Sequence, residues 1–404
     1  MELPDFNLRH LSAYSAIHTL GTIKGASERV NLSQPAITQA VGKLETLVQA
    51  QLFIRHRLGM SPTEAGAVFH PRVWRALEGL ETGYASAAGQ AKSATNPAFR
   101  HSVRWTQLRA LTAIADHGSY SSAARALGLA QPTIYRVAQD LQTLAGFSLY
   151  RKSVSGISLT PAAKSLSRAA RLAFVELAQA MEELGQLHGP ANARVVIGSL
   201  PLARSHLLPQ AIAWVTGSFP LTEINVVDGP YPDLLNELRD GRIDMIIGAL
   251  RDPSPGEDIS QGMLFYDHLG IFCGPDHPLA GKTQILPSDL SPFGWIVPRQ
   301  GTPTRNQFDR FLDHHAITPT AAPIEASSMA LIRSLLTLGP RLTMLSTHQT
   351  AQDVRNGTIC RLPIEIGDPG RPIGIATRRT WSPTPTQRRL LEALRDVAQR
   401  TELI

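Results

Sequence analysis

The 404-residue chain is poor in cysteine: Cys273 and Cys360 are the only two, and neither sits in a partner motif. That excludes a disulfide framework and a paired-cysteine metal site, and leaves structural thiols in a reducing compartment. No apolar run reaches the ~20 residues of a membrane span, and no signal peptide opens the chain. The expected location is therefore cytoplasmic, with no membrane partner. A nucleophile elbow, a zinc-type His/Cys spacing and a phosphate loop are all missing. No catalytic residue, metal site or cofactor is expected, and Asp313-His314-His315 reads as a polar helix face.

What is present is a repeat. Ser33–Leu47 (SQPAITQAVGKLETL) returns as Ala130–Leu144 (AQPTIYRVAQDLQTL). The offset of 97 holds without a gap, and 18 of 58 residue pairs are identical over positions 9–66. Charge follows the same division. Residues 1–190 hold 19 Lys/Arg against 12 Asp/Glu, and residues 191–404 hold 20 against 21. A basic half joined to a neutral half suits a nucleic-acid binder coupled to something else.

Each repeat reads as a short helix, a tight turn and a second helix. In the first copy Ser33 is a good N-cap and Pro35 lies in the first turn, where its missing N–H costs nothing. Ile37, Val41, Leu44 and Leu47/Val48 recur at helical spacing and face inward. Ser33, Gln34, Pro35, Ala36, Thr38, Gln39 and Lys43 are left at the start and outside. That arrangement fits a helix-turn-helix whose second helix enters a major groove. The following LFIRHRLGMSPT reads as a hairpin wing, with Arg55 and Arg57 placed for phosphates. The second copy offers Gln131, Pro132, Thr133, Tyr135, Arg136 and Gln139, with Arg151 and Lys152 on its wing. A plain three-helix bundle is the competing interpretation of the pattern alone.

Leu8–Gly66 resembles the winged helix-turn-helix of LysR-type transcriptional regulators. The matching residues are Ala26, Leu32, Ser33-Gln34-Pro35-Ala36, Leu44-Glu45, Leu52-Phe53, Arg55, Thr63 and Ala65-Gly66. Trp105–Ala163 resembles the same module in Gly118-Ser119, Ala123-Ala124, Leu127, Gln131-Pro132, Leu141, Leu149-Tyr150 and Leu159-Thr160-Pro161. Two such modules in one chain depart from the family's usual one. Thr63 and Thr160 then open long helices. Their apolar seams run Phe69, Val73, Leu77, Leu80, Tyr84, Ala87 and Leu166, Ala170, Ala173, Leu177, Met181 or Ala180, Leu184, Leu187. The 91–102 linker is polar and contains proline, and its reach allows the two seams to pair antiparallel within one chain; the competing arrangement pairs each helix with its twin in another chain, giving four heads per dimer. His188-Gly189-Pro190 is expected to end the second helix.

From Ala193 the pattern becomes strand–helix alternation, which argues a parallel sheet covered by helices. Phe265–Cys273 reads as one strand crossing to a second lobe, and Arg341–Ser346 as the start of the return. This half resembles the LysR-type effector-binding domain in Leu207-Leu208-Pro209, Leu235, Leu238-Arg239, Gly241, Ile243-Asp244, His277-Pro278-Leu279 and Ser382-Pro383. The resemblance implies a two-lobed α/β fold like periplasmic binding proteins. The expected layout is a first winged helix-turn-helix with linker helix at 1–90, a linker at 91–102, a second module at 103–188 and the effector domain at 193–404. Within that domain lobe 1 is about 193–272 and 345–404, and lobe 2 about 273–344.

Ligands of α/β folds bind at the carboxyl ends of strands. The candidate effector residues there are Ser199, Leu200, Pro201, Arg204, Asp228, Gly229, Tyr231, Ala249 and Arg251, with Thr302, Thr304, Ser327 and Ser328 from the second lobe. Arg204 or Arg251 would pair with a carboxylate; a surface or inter-lobe salt bridge is the alternative for each. The expected function is a nucleoid-associated regulator that binds double-stranded DNA and a polar or anionic effector. A homo-oligomer is expected, and RNA polymerase is a candidate partner. The alternatives are an enzyme and an architectural DNA binder whose two-lobed domain serves only oligomerisation.

Overall fold

The computed structural model describes all residues except 1, 2, 58, 154, 155, 188, 190–192, 368, 369, 403 and 404. The expected helix stop at His188–Pro190 therefore lies largely outside the described residues. The chain divides into two compact units, Met1–Asn192 with Arg239–Gly241, and Ala193–Leu238 with Arg242–Ile404.

The first unit repeats one series of elements. Head 1 comprises α1 (Leu8–Leu20), α2 (Ile23–Val30), α3 (Gln34–Val48), the hairpin β1 (Phe53–His56) and β2 (Gly59–Pro62), and the long α4 (Glu64–Gln90). After a one-turn helix, α5 (Phe99–Ser102), head 2 follows with α6 (Trp105–His117), α7 (Tyr120–Leu127) and α8 (Gln131–Ala145). Its hairpin is β3 (Tyr150–Ser153) and β4 (Gly156–Leu159), and its long helix is α9 (Pro161–Gln186). Local signals start both long helices. Thr63 Oγ1 accepts from Gly66 N and donates to Gln51 O, and Thr160 Oγ1 accepts from Ala163 N and donates to Ser148 O. Gly59 and Gly156 need the left-handed region, at φ 156° and 125°. A Cβ on either would strike the carbonyl oxygen of Gly21 or Gly118, at 2.4 and 2.9 Å.

Helices α4 and α9 pack antiparallel. Arg75 meets Glu176, Gly83 abuts Ala169 and Gln90 meets Ser165, so the partner number falls as the first rises. The expected seams are buried, Phe69, Val73, Leu77, Leu80, Tyr84 and Ala87 against Leu166, Ala170, Ala173, Leu177, Ala180 and Leu184, while Leu187 at the end of the second is only half-buried. Of the alternatives at one position, Ala180 is buried and Met181 only half so. At Gly83 a Cβ would come within 2.2 Å of the Ala169 Cβ, so glycine lets the backbones close there. Residues 91–102 are not an extended tether. Phe99 stacks on Tyr84 at 3.8 Å, and Asn96 donates to Leu144 O at 3.0 Å.

The second unit holds two five-stranded sheets. The first has the order β6-β5-β7-β14-β8, from β5 (Ala193–Ser199), β6 (Thr222–Asp228), β7 (Met245–Ala249), β8 (Ile259–Asp267) and β14 (Arg371–Arg378). β5, β6 and β7 are parallel, and β14 runs antiparallel between β7 and β8. Its faces alternate as a buried strand must. Val195 and Ile197 pack with α10 (Leu207–Ser218) and α15 (Pro385–Glu402), and Val196 with α11 (Tyr231–Arg239).

The second sheet has the order β11-β10-β12-β9-β13, from β9 (Leu269–Cys273), β10 (Gly294–Val297), β11 (Ile324–Glu325), β12 (Arg341–Ser346) and β13 (Cys360–Arg361). Helices α12 (Pro303–His314) and α13 (Met329–Thr337) cover its two faces, and α14 (Thr347–Arg355) follows β12.

The structure departs from three expectations, the single strand at 265–273, the start of the second lobe and the point of return. Phe265–Cys273 is two strands, broken at His268, with Asp267 ending one sheet and Leu269 opening the other. The second sheet therefore begins before 273, and Arg341–Ser346 lies within it. It extends to Arg361, so the return comes only with β14. Cys273 and Cys360, both free thiols, stand opposite each other in register across β9 and β13.

Candidate DNA-reading surface and ligand cleft

In head 1 the Ser33 hydroxyl caps α3 by accepting from Ala36 N, with Pro35 in the first turn. Ile37, Ala40, Val41, Leu44 and Val48 are buried. Gln34, Pro35, Gln39 and Lys43 are exposed, and Ala36 and Thr38 half-buried. Glu45 fixes the wing, its Oε1 accepting from Leu52 N at 2.8 Å. In head 2 Ala130 supplies no side-chain cap to α8. Gln131, Pro132, Tyr135 and Arg136 are exposed there, with Thr133 and Gln139 half-buried. Gln142 replaces Glu45 as the wing's anchor, accepting from Leu149 N at 2.9 Å. Tyr135 stands edge-on to Tyr120 at 5.3 Å.

Arg55 and Arg57 on the first wing, and Arg151 and Lys152 on the second, are exposed. Among the described residues no carboxylate pairs with these four, nor with Lys43 or Arg136. Unpaired surface cations beside an exposed helix face are what phosphate contacts require.

The ligand candidates gather where strand ends of the two sheets meet. An inner pocket of about 140 Å³ is walled by Leu200, Pro201, Ala249, Arg251, Thr302, Thr304 and Ser327. An outer cleft of about 890 Å³ shares several of those walls and adds Arg204, Asp228, Gly229 and Tyr231. Two candidates are not on these walls. Ser199 is buried, and its hydroxyl donates to Leu200 O. The Ser328 hydroxyl caps α13 by accepting from Leu331 N. Arg204 takes the salt-bridge alternative, 3.2 Å from Asp228 on the surface.

Arg251 differs. It lies over the Tyr231 ring at 4.2 Å, its backbone is held at both ends by the Gln261 amide, and among the described residues it has no ion pair. Burial lowers its pKa, Tyr231 partly opposing and the Arg371 charge adding to the effect. An anion in the pocket would relieve that penalty.

Arg371, which no motif in the sequence singles out, also lines the inner pocket. Its guanidinium donates to Asp267 at 2.8 Å and to the Thr304 hydroxyl. Asp267 is fully buried and also accepts from Ser346 Oγ and His348 Nδ1. Burial alone would raise this carboxyl. The His348 hydrogen bond, the charge and hydrogen bond of Arg371 and the Ser346 hydrogen bond together outweigh burial and hold it below the usual range. Asp244 is likewise buried, its carboxylate accepting from Val196 N of β5 at 2.8 Å, and burial raises its pKa. His314 and His315 stack edge to face, and no metal-holding cluster occurs among the described residues.

Comparison with known proteins places both halves. Residues 8–67 and 105–164 each match the bacterial regulatory helix-turn-helix protein, lysR family. Residues 188–399 match the LysR substrate binding domain. The chain is 29% identical over 397 residues to the HTH-type transcriptional regulator GalR of Pseudomonas putida, covering 98% of each. It is 24% identical to the regulator PcaQ of Agrobacterium fabrum, covering 73% of this chain and 95% of that one. Among solved structures, full-length CbnR complexed with its target DNA superposes with a TM-score of 0.52 at 20% identity, over 73% of this chain and 100% of that one. Full-length OxyR from Pseudomonas aeruginosa gives 0.52 at 22%, over 73% and 94%.

Proposed function

The chain belongs to the LysR family of bacterial helix-turn-helix transcriptional regulators, and on that premise we propose that an anionic effector, bound between its two C-terminal sheets, controls how its two heads hold DNA. The observation that carries the effector reading is Arg251, a half-buried guanidinium on the pocket wall with no ion pair among the described residues. Thr302, Thr304 and Ser327 bring hydroxyls to the same pocket. Thr302 also caps α12, whose first N–H groups favour negative charge. A carboxylate facing Arg251 forms a charge-assisted pair in a partly dry site.

The DNA reading is supported by the exposed faces of α3 and α8 and by exposed wing cations with no ion pair among the described residues. Effector binding biases the arrangement of the two sheets and thereby the grip on DNA.

The test is thermal melting of the full chain against a panel of small carboxylates and neutral analogues. A ligand at 100-fold over its Kd stabilises its domain by about 2.7 kcal/mol. The expected result is a shift with carboxylates that Arg251→Gln removes. No shift with any panel member, or an equal shift in the variant, overturns the reading.

A further inference from the structure

We propose that one chain is by itself a complete reader of an asymmetric DNA site, its two heads locked as an unequal pair by α4 and α9. The inference rests on reading α3 and α8 as the DNA-contacting helices. An antiparallel helix pair relates its members by a twofold axis. Each head sits at the start of its own long helix, so the same axis relates the heads.

Chemistry makes the pair unequal and selects it over pairing like with like. Arg72 of α4 is buried to 1% exposure. It donates to Glu183 at 2.6 Å, Glu176 at 3.1 Å and Gln179 at 2.6 Å, all on α9. Shifted by the repeat offset of 97, those three positions fall in α4 on Ser86, Gly79 and Thr82. An α4 paired with another α4 in this geometry would bury Arg72 with no carboxylate. An α9 paired with another α9 would set its acids against Ala169, the equivalent of Arg72. Removing one partner of a buried ionic cluster leaves an uncompensated charge, so both like pairings are penalised.

The connection keeps the pairing within one chain. The Tyr84 hydroxyl donates to Ala145 O at 3.1 Å and accepts from Asn96 N at 2.7 Å. Residues 91–98 are thereby stitched onto the end of α8. The heads also touch directly, Phe6 standing edge-on to Trp105 at 5.7 Å and Asp5 bridging to Arg109 at 2.8 Å. The reading faces themselves differ: Gln39 and Lys43 of head 1 correspond to Arg136 and Asp140 of head 2. Two unlike readers at one fixed separation call for two unlike half-sites in one order.

The experiment is selection of the full-length chain on random-sequence duplex DNA, repeated with Gln39→Ala and with Arg136→Ala. The expected product is two different elements, always adjacent in one order and spacing. Gln39→Ala should lower discrimination at one element by about 10-fold and Arg136→Ala at the other, on the usual worth of a base contact. An inverted repeat of one element, or both variants degrading the same positions, leaves the DNA-binding reading standing and overturns the unequal pair. Recovery of no motif overturns both.

Discussion

Arg72 and Glu183 meet at 2.6 Å across the two long helices of the N-terminal unit, with 1% and 11% of their side chains exposed. They lie 111 positions apart in the chain. Charges this deep in a helix interface stabilise only as a complete set, because each has given up its water.

Arg72→Ala should therefore cost about 3 kcal/mol in the N-terminal unit. Arg75→Ala, at a pair where the arginine is 25% exposed, should cost less than about 1 kcal/mol. Urea unfolding followed by helix content checks both. Equal losses would show that burial does not set the value of the cluster.

Replacing Gly83 tests the helix contact sterically. A Cβ there meets Ala169 at 2.2 Å. Gly83→Val should drive the helices apart and lower the unfolding midpoint, by about 1–3 kcal/mol of overpacking. Restoring space on the other side with Ala169→Gly should recover part of the loss. A variant as stable as the parent would mean the helices do not meet at that point.

The wings predict salt behaviour. Arg151→Ala should weaken binding to specific and random duplexes alike and reduce the salt slope by about 0.9, one released counterion. Gln39→Ala should relax sequence preference and leave the slope unchanged. Identical slopes in the parent and Arg151→Ala would remove that wing from the phosphate contacts.

His18 and His70 stack at 3.7 Å with their planes 5° apart. Burial, with the charge of His18 adding, lowers the His70 pKa from 6.5 to about 4. The unfolded chain thus takes a proton that the folded one refuses. Stability from this contact is whole above pH 6.5 and is lost as the pH falls toward 4. His70→Gln should flatten that part of the stability profile, measured as unfolding midpoints at successive pH values.

The facing cysteines should differ in reactivity. Burial pushes the Cys273 thiol up to about 12, so at pH 8 roughly one part in 10⁴ is thiolate. Cys360 should react with a disulfide reagent in the native protein and Cys273 only on unfolding. Two equally fast thiols would contradict the burial of Cys273.

The parts legible in the sequence rest on local rules. Thr63, Thr160, Ser33 and the seam from Phe69 to Ala87 declare themselves by capping and spacing, and the structure has them so. What escaped depends on partners far along the chain. Arg72 reads as surface until Glu176 and Glu183 are known to lie across from it. Arg371 reads as the run-in to a strand until Asp267 and Thr304 converge on it. The break at His268 leaves no mark, because apolar strand residues continue on both sides while the sheet changes.

Having α4 and α9 on one chain removes concentration from the encounter of the heads. Separate subunits must find each other by collision, and at low copy number many would stay single. Tethered partners face each other at an effective concentration in the millimolar range for a short connection. Dilution that would dissolve a dimer of separate chains leaves this head pair intact. The number of functioning readers should therefore rise in direct proportion to the number of chains made, with no threshold.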